Sequence, residues 1–318
     1  MTAAATKEKT RAASWSVISN ASLTVGKLAV GLLIGSVSVI SEAIHSGVDL
    51  LAAVIAWFAV RSADKPADGH HPYGHGKFEN VSGAVEALLI FVAAVWIIFE
   101  AIRKLLHPAE IQTVGWGVAI MTASSLVNIV VSGYLFRVGK KTDSQALLAD
   151  AWHLRTDVYT SAGVLFGLAV IWAGERFYPD VDWHWVDPVA AIAVALLIIK
   201  AAYDLTRDST RDLLDASLPP DEVRWIGEYV SAAGFPIRSF HSLRTRKAGP
   251  YRFLDFHVAV PGSMSVSESH DIASRIEAGI MQRFPGSSVT VHIEPCDGEN
   301  CDRSCREGCI SPVNAPPG

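Results

Sequence analysis

Six long apolar stretches fill the first two thirds of the chain, at about 14–34, 38–60, 79–102, 114–136, 145–173 and 186–206. A helix crossing a bilayer needs about 20 apolar residues and satisfies all its backbone hydrogen bonds internally, so each stretch predicts one spanning helix. After residue 208 the pattern changes. Pro219-Pro220 opens a helix-periodic run from Asp221 to Ala233. Two strand-like runs follow, Ser239–Arg246 and Tyr251–Val260, joined by Lys247-Ala248-Gly249-Pro250. A second helix is predicted over 266–284 and a last strand over 288–294. The order α-β-β-α-β predicts a small α+β domain with its helices on one face of a sheet. The resulting division is a tail (1–12), a six-helix transmembrane domain (13–207), a soluble domain (208–295) and a Cys-containing tail (296–318).

Composition sharpens this reading. The 318 residues are 50% hydrophobic and 19% charged, against about 25% charged in ordinary soluble domains. A net charge of −5 leaves no basic footprint for nucleic acid. Lys7, Lys9 and Arg11 precede the first span without a small-residue cleavage site after it, so that span is not expected to be removed. Trp15, Trp116, Trp183 and Trp185 stand near the ends of spans, where an interfacial aromatic belt lies. The short connections on the side of the N-terminus carry nine Lys and Arg, and those on the other side three. By the positive-inside rule both termini are expected in the cytoplasm.

Polar residues within the spans then become the candidate chemistry, because an ionisable group in lipid is costly. His45 and Asp49 in span two are four apart, as are His153 and Asp157 in span five. Residues i and i+4 share a helix face, so each helix presents one imidazole and one carboxylate together. Two such faces supply two nitrogens and two oxygens, a tetrahedral set suited to Zn²⁺. The plainer alternative is a pair of His–Asp hydrogen bonds stapling helices, which the repetition on two spans disfavours. These ligands bind metal only when deprotonated, so the site is expected to hold metal or protons in exchange. Glu42 and Asp150 lie near the same faces and are accessory candidates.

Three further groups stand outside the spans. The Pro- and Gly-rich loop between spans two and three places Asp68, His71 and His75 within eight residues, enough for a metal with an open position or for a solvated polar turn. The adjacent His70 is expected to point away from His71. In the soluble domain, His292 and Glu294 alternate on one strand and face one side. His257 sits on a second strand, His241 on the first and His270 near the start of the second helix, so four elements can converge. Cys296, Cys301, Cys305 and Cys309 are the only cysteines. Reduced thiols on a flexible tail and a Zn²⁺-capturing tail remain alternatives. No H-E-x-x-H or clustered His box is present, which argues against a membrane metalloenzyme.

Together these features resemble the cation diffusion facilitator family, in the manner of its bacterial zinc and ferrous-iron efflux pumps. The motifs that carry the resemblance are the two H-x-x-x-D pairs, the Tyr73-Gly74-His75-Gly76-Lys77 run, the Ala149-Asp150-Ala151-Trp152-His153 context and the His241-Ser242-Leu243-Arg244-Thr245-Arg246 run. The resemblance covers about residues 12–295. It implies a ferredoxin- or metallochaperone-like cytoplasmic domain, a homodimer in a bacterial inner membrane, and export of divalent metal by alternating access in exchange for protons. It also implies a transport site of His45, Asp49, His153 and Asp157, and a loop site of Asp68, His71 and His75. A binuclear site between two cytoplasmic domains would use His241, His257, His270, His292 and Glu294, and Lys77 would pair with Asp215. Metal is expected to enter from the cytoplasm between spans two, three, five and six of one subunit. His45 stands where the best-known bacterial pumps carry Asp, which favours Zn²⁺ over Cd²⁺, Co²⁺, Fe²⁺ or Mn²⁺; Glu294 stands where they carry Asp. A membrane sensor or scaffold that does not transport would be expected to have lost one H-x-x-x-D pair, and both are intact.

Overall fold

The computed structural model describes residues 3–35, 37–106, 115–178, 183, 185–232 and 234–296. Six long helices come first: α1 (Ala3–Ile34), α2 (Val37–Ala63), α3 (Lys77–Leu106), α4 (Gly115–Thr142), α5 (Gln145–Phe177) and α6 (Val186–Leu213). All six are long and apolar enough to cross a membrane. Most run beyond the apolar stretches that announce them. Hydropathy measures only the length in lipid, whereas the backbone ladder continues into charged ends such as Arg61, Arg103, Lys104, Lys140 and Lys141.

The helices bury small residues against one another, because in lipid the gain comes from close packing rather than from expelling water. Ala12 and Ala13 of α1, Ala59 and Val60 of α2, Leu135 and Val138 of α4, and Ala146, Leu147, Ala151 and Leu154 of α5 form one buried cluster. Ala87, Ile90 and Ala94 of α3 pack with Ala149 of α5 and with Ile198, Ala202 and Leu205 of α6 in another. Gly83 lets α3 approach α6 closely, since a Cβ there would meet Ser209 Oγ at 2.6 Å. Outward-facing positions carry exposed Leu32, Val92, Trp96, Phe166 and Leu197, as a lipid-facing surface requires.

The chain divides into two compact units, one of Ala3–Thr210 and a second that begins at Arg211. The second holds α7 (Pro220–Ala232), β1 (Ser239–Ala248), β2 (Tyr251–Pro261), α8 (Val266–Arg283) and β3 (Ser288–Cys296). The sheet order is β1-β2-β3, with β1 and β2 antiparallel and β2 and β3 parallel. Ala248 pairs with Tyr251, which leaves a two-residue hairpin loop whose Gly249 has φ +57°. Leu254, Phe256, Val258 and Val260 project from one face of β2 into a core with Ile226 and Val230 of α7 and Ile272, Ile276 and Ile280 of α8. Ser265 and Glu268 start α8 with a reciprocal capping box. The Ser265 backbone N–H donates to the Glu268 carboxylate and holds its pKa below the usual range. His257, one residue out of phase with the core positions, therefore emerges on the sheet face away from the helices.

Candidate metal path

The two H-x-x-x-D helices meet. The ligand atoms of His45, Asp49 and Asp157 lie within 4.8 Å of one another. His153 joins through Asp49: its Nε2 is 3.2 Å from Asp49 Oδ1. His45 Nε2 is 4.0 Å from the same oxygen. Asp49 and His153 are buried while the His45 side chain is 58% exposed, so the set is deep on one side and open on the other. Asn128 of α4, which the sequence reading passed over, directs its amide Nδ2 at Asp157 Oδ2 at 3.5 Å. A donor there orients the carboxylate from outside the ligand set.

His45, Asp49, Asn128 and Asp157 line a pocket of about 90 Å³. Its walls are Asn20, Leu23 and Lys27 of α1, His45, Ser46 and Asp49 of α2, Met121, Ser124, Ser125 and Asn128 of α4, and Asp157, Thr160 and Ser161 of α5. Helices α3 and α6 contribute none of the residues that line this pocket. They are engaged instead in packing on each other and on Ala149. Lys27 lines the pocket at the level of the ligands, its Nζ 2.8 Å from Ser46 Oγ. Asp150 does not line it. It is wholly buried on α5 beside Glu86 of α3, another residue missed in the sequence although it is a carboxylate inside an apolar span. The side chain of Glu42 lies outside the described residues.

The loop group also forms. Asp68 Oδ2 lies 3.3 Å from His75 Nε2, and Asp68 Oδ1 lies 3.4 Å from His71 Nδ1. The His71 and His75 rings are 4.4 Å apart. The backbone N–H groups of His71 and His70 donate to Asp68 Oδ1 at 2.8 and 2.9 Å. Those bonds, with that from His71 the largest influence, hold the Asp68 carboxyl below its ordinary pKa and thus ionised, as a ligand must be. His70 shares the backbone turn but is not among the three clustered ligands.

In the C-terminal unit, His241, His257 and His292 form one cross-strand row, because His241 pairs with His257 and His257 with His292. Glu294 serves all three. Its Oε1 is 2.8 Å from His257 Nδ1 and 3.7 Å from His292 Nε2, and its Oε2 is 3.3 Å from His241 Nε2. His241, His257 and Glu294 form a potential metal-holding group. His270 does not join them within the protomer. It is exposed on α8, and α8 covers the opposite face of the sheet. Asp215 approaches Arg246 Nη1 at 3.5 Å within its own unit; its expected pairing with Lys77 would join the two units. Cys296 is buried at the end of β3 against Ala259; Cys301, Cys305 and Cys309 lie outside the described residues.

Residues 14–214 match the cation efflux transmembrane domain, and residues 218–296 match the cation efflux protein cytoplasmic domain. The chain belongs to the cation efflux, or cation diffusion facilitator, family, whose members are multi-pass membrane transporters and not enzymes. It is 38% identical over 272 residues to an uncharacterized transporter of Synechocystis sp., covering 85% of each chain. It is 30% identical over 290 residues to the cation-efflux pump FieF of Salmonella choleraesuis, covering 88% of this chain and 93% of that one. The C-terminal unit is similar to the solved zinc form of CzrB, at 39% identity over 27% of this chain and 97% of that one, with a TM-score of 0.25.

Proposed function

We propose that this protein exports Zn²⁺ from the cytoplasm of a bacterium across its inner membrane in exchange for protons, as a homodimer with both termini cytoplasmic. The observation that carries the proposal is the meeting of His45, Asp49 and Asp157 between two apolar helices in one pocket, with His153 joined to Asp49. Two imidazoles and two carboxylates suit a tetrahedral divalent ion of borderline softness. A bound cation also offsets the cost of placing two carboxylates in low dielectric.

In the proposed orientation the end of the bundle away from the 64–77 loop faces outward. Protons arriving from outside compete for the same lone pairs and release the metal. With the ligands neutralised by protons, the helices repack to expose the site inward, where the protons leave and cytoplasmic metal replaces them. The loop group and the three-histidine row are the regulatory metal sites. His270 reaches the row only from a second copy, since α8 of the same protomer lies across the sheet. Metal binding between two such faces would bias the dimer toward one of its two states.

The test is Zn²⁺ flux into proteoliposomes. Asp49→Ala and Asp157→Ala should each lower it at least about tenfold, as loss of a ligand from a metal site does; undiminished flux in either variant would remove the site from the path.

A further inference from the structure

One charged residue in the pocket has no place in the ligand set. Lys27, on α1, donates from Nζ to Ser46 Oγ at 2.8 Å, a buried hydrogen bond. Ser46 sits on α2 between His45 and Asp49, and Lys27, His45, Asp49 and Asp157 line one pocket. An ammonium has three donors and no lone pair, so it cannot ligate a cation. Its stem is buried in the bundle and its head is held in place by Ser46, so the charge is fixed rather than free to swing away.

We propose that Lys27 is a built-in positive charge that weakens cation binding at the transport site and so sets how fast the cargo leaves. The inference rests on the reading of His45, Asp49, His153 and Asp157 as that site. Two ionised carboxylates alone would hold a divalent ion tightly in a low-dielectric pocket. A tightly held ion is a poor cargo, because conduction and transport need binding strong enough to load and weak enough to release. The fixed ammonium opposes the metal's charge at every stage. Lys27 lines the same pocket at the level of the ligands, with its ammonium on Ser46 between His45 and Asp49.

The experiment compares wild type, Lys27→Met and Lys27→Arg, with Asp49→Ala as reference. Zn²⁺ affinity of the purified full-length protein is measured at fixed pH by competition with a fluorescent chelator, and Zn²⁺ turnover is measured in proteoliposomes. The component of binding that Asp49→Ala removes is the transport site; if Asp49→Ala removes none, the site reading itself fails. Within that component, Lys27→Met should bind Zn²⁺ about tenfold more tightly or better, the direction expected from removing a like charge within a few ångströms. Its turnover at saturating metal should fall. Lys27→Arg, which keeps the charge, should stay within about threefold of wild type in affinity, a difference well under 1.4 kcal/mol. Affinity that is unchanged or weaker in Lys27→Met overturns the proposal, and so does equal tightening in Lys27→Arg, since charge would then not be the cause. Folding of Lys27→Met is checked separately, by a wild-type elution profile and by unchanged Zn²⁺ binding in the component that Asp49→Ala leaves intact.

Discussion

At the scale of single residues, the transport ligands differ in exposure more than in chemistry. Asp49 is shared by both imidazoles, at 3.2 Å from His153 and 4.0 Å from His45. His153 is buried and His45 faces the pocket. The imidazole at 45 is therefore the ligand that an incoming or leaving ion meets on the open side, and the residue most able to set selectivity. Replacing it by carboxylate makes the set harder, one nitrogen and three oxygens, and adds a negative charge. His45→Asp should raise acceptance of larger or harder ions relative to Zn²⁺, by about tenfold in the Cd²⁺/Zn²⁺ or Mn²⁺/Zn²⁺ flux ratio if this one ligand contributes about 1.4 kcal/mol of discrimination. Flux ratios measured for each metal alone check it; unchanged ratios would move selectivity elsewhere. The i, i+4 spacing made both pairs legible in the sequence. Asn128, Lys27 and Glu86 were legible only as isolated polar letters in apolar spans. Their role depends on which helix faces which, and no periodicity within one helix records that.

At the scale of elements, a buried polar junction closes the end of the bundle that carries the loop site. Lys9 of α1 is wholly buried, with its ammonium 2.8 Å from Asp64, just beyond the end of α2, and 2.8 Å from Glu79 of α3. Ser144, the N-cap of α5, donates to the other oxygen of Glu79. One ammonium thus ties α1, α2, α3 and the start of α5 together. Removing one member leaves charges buried without compensation, at a cost of about 3–5 kcal/mol, whereas replacing the whole set with apolar residues can be neutral. Lys9→Met should lower the midpoint of thermal unfolding in detergent by about 5 °C or more. The triple change Lys9→Met, Asp64→Leu, Glu79→Leu should recover most of that loss. A Lys9→Met midpoint equal to wild type would show that the junction contributes nothing. The sequence reading used Lys9 only as a positive-inside marker, because a charge near a span end is ordinarily solvated and nothing local says it is enclosed. The elements themselves were far easier to read. The six spans and the α-β-β-α-β order follow from apolar run length and from alternation, both local signals. Helix ends shifted by several residues where charged turns extend the ladder, as at Arg103-Lys104 of α3.

At the scale of the whole molecule, the described residues form three metal-competent groups in separate surroundings: one among apolar helices, one in a tight loop and one on the uncovered face of a small sheet. Convergence of the histidine row was foreseeable for strands β2 and β3, where His292 and Glu294 alternate. The mismatch for His270 was not, since sequence cannot say that α8 covers the other face. In the proposed exchange the membrane potential supplies about 2.3 kcal/mol per net inward charge per 100 mV, so it drives export only if more than two protons return per Zn²⁺. With fewer, the pH gradient must do the work.

The central claim is that metal and protons move in opposite directions through one site, and simultaneous recording of both tests it most directly. Proteoliposomes holding the purified protein, with a Zn²⁺ indicator and a pH indicator inside, are given external Zn²⁺ with and without an imposed pH gradient. The account predicts Zn²⁺ influx accompanied by proton efflux, faster when the lumen is the more acidic side, and loss of both fluxes together in Asp157→Ala. Zn²⁺ influx that ignores the pH gradient, or that continues in Asp157→Ala with proton movement unchanged, would contradict it.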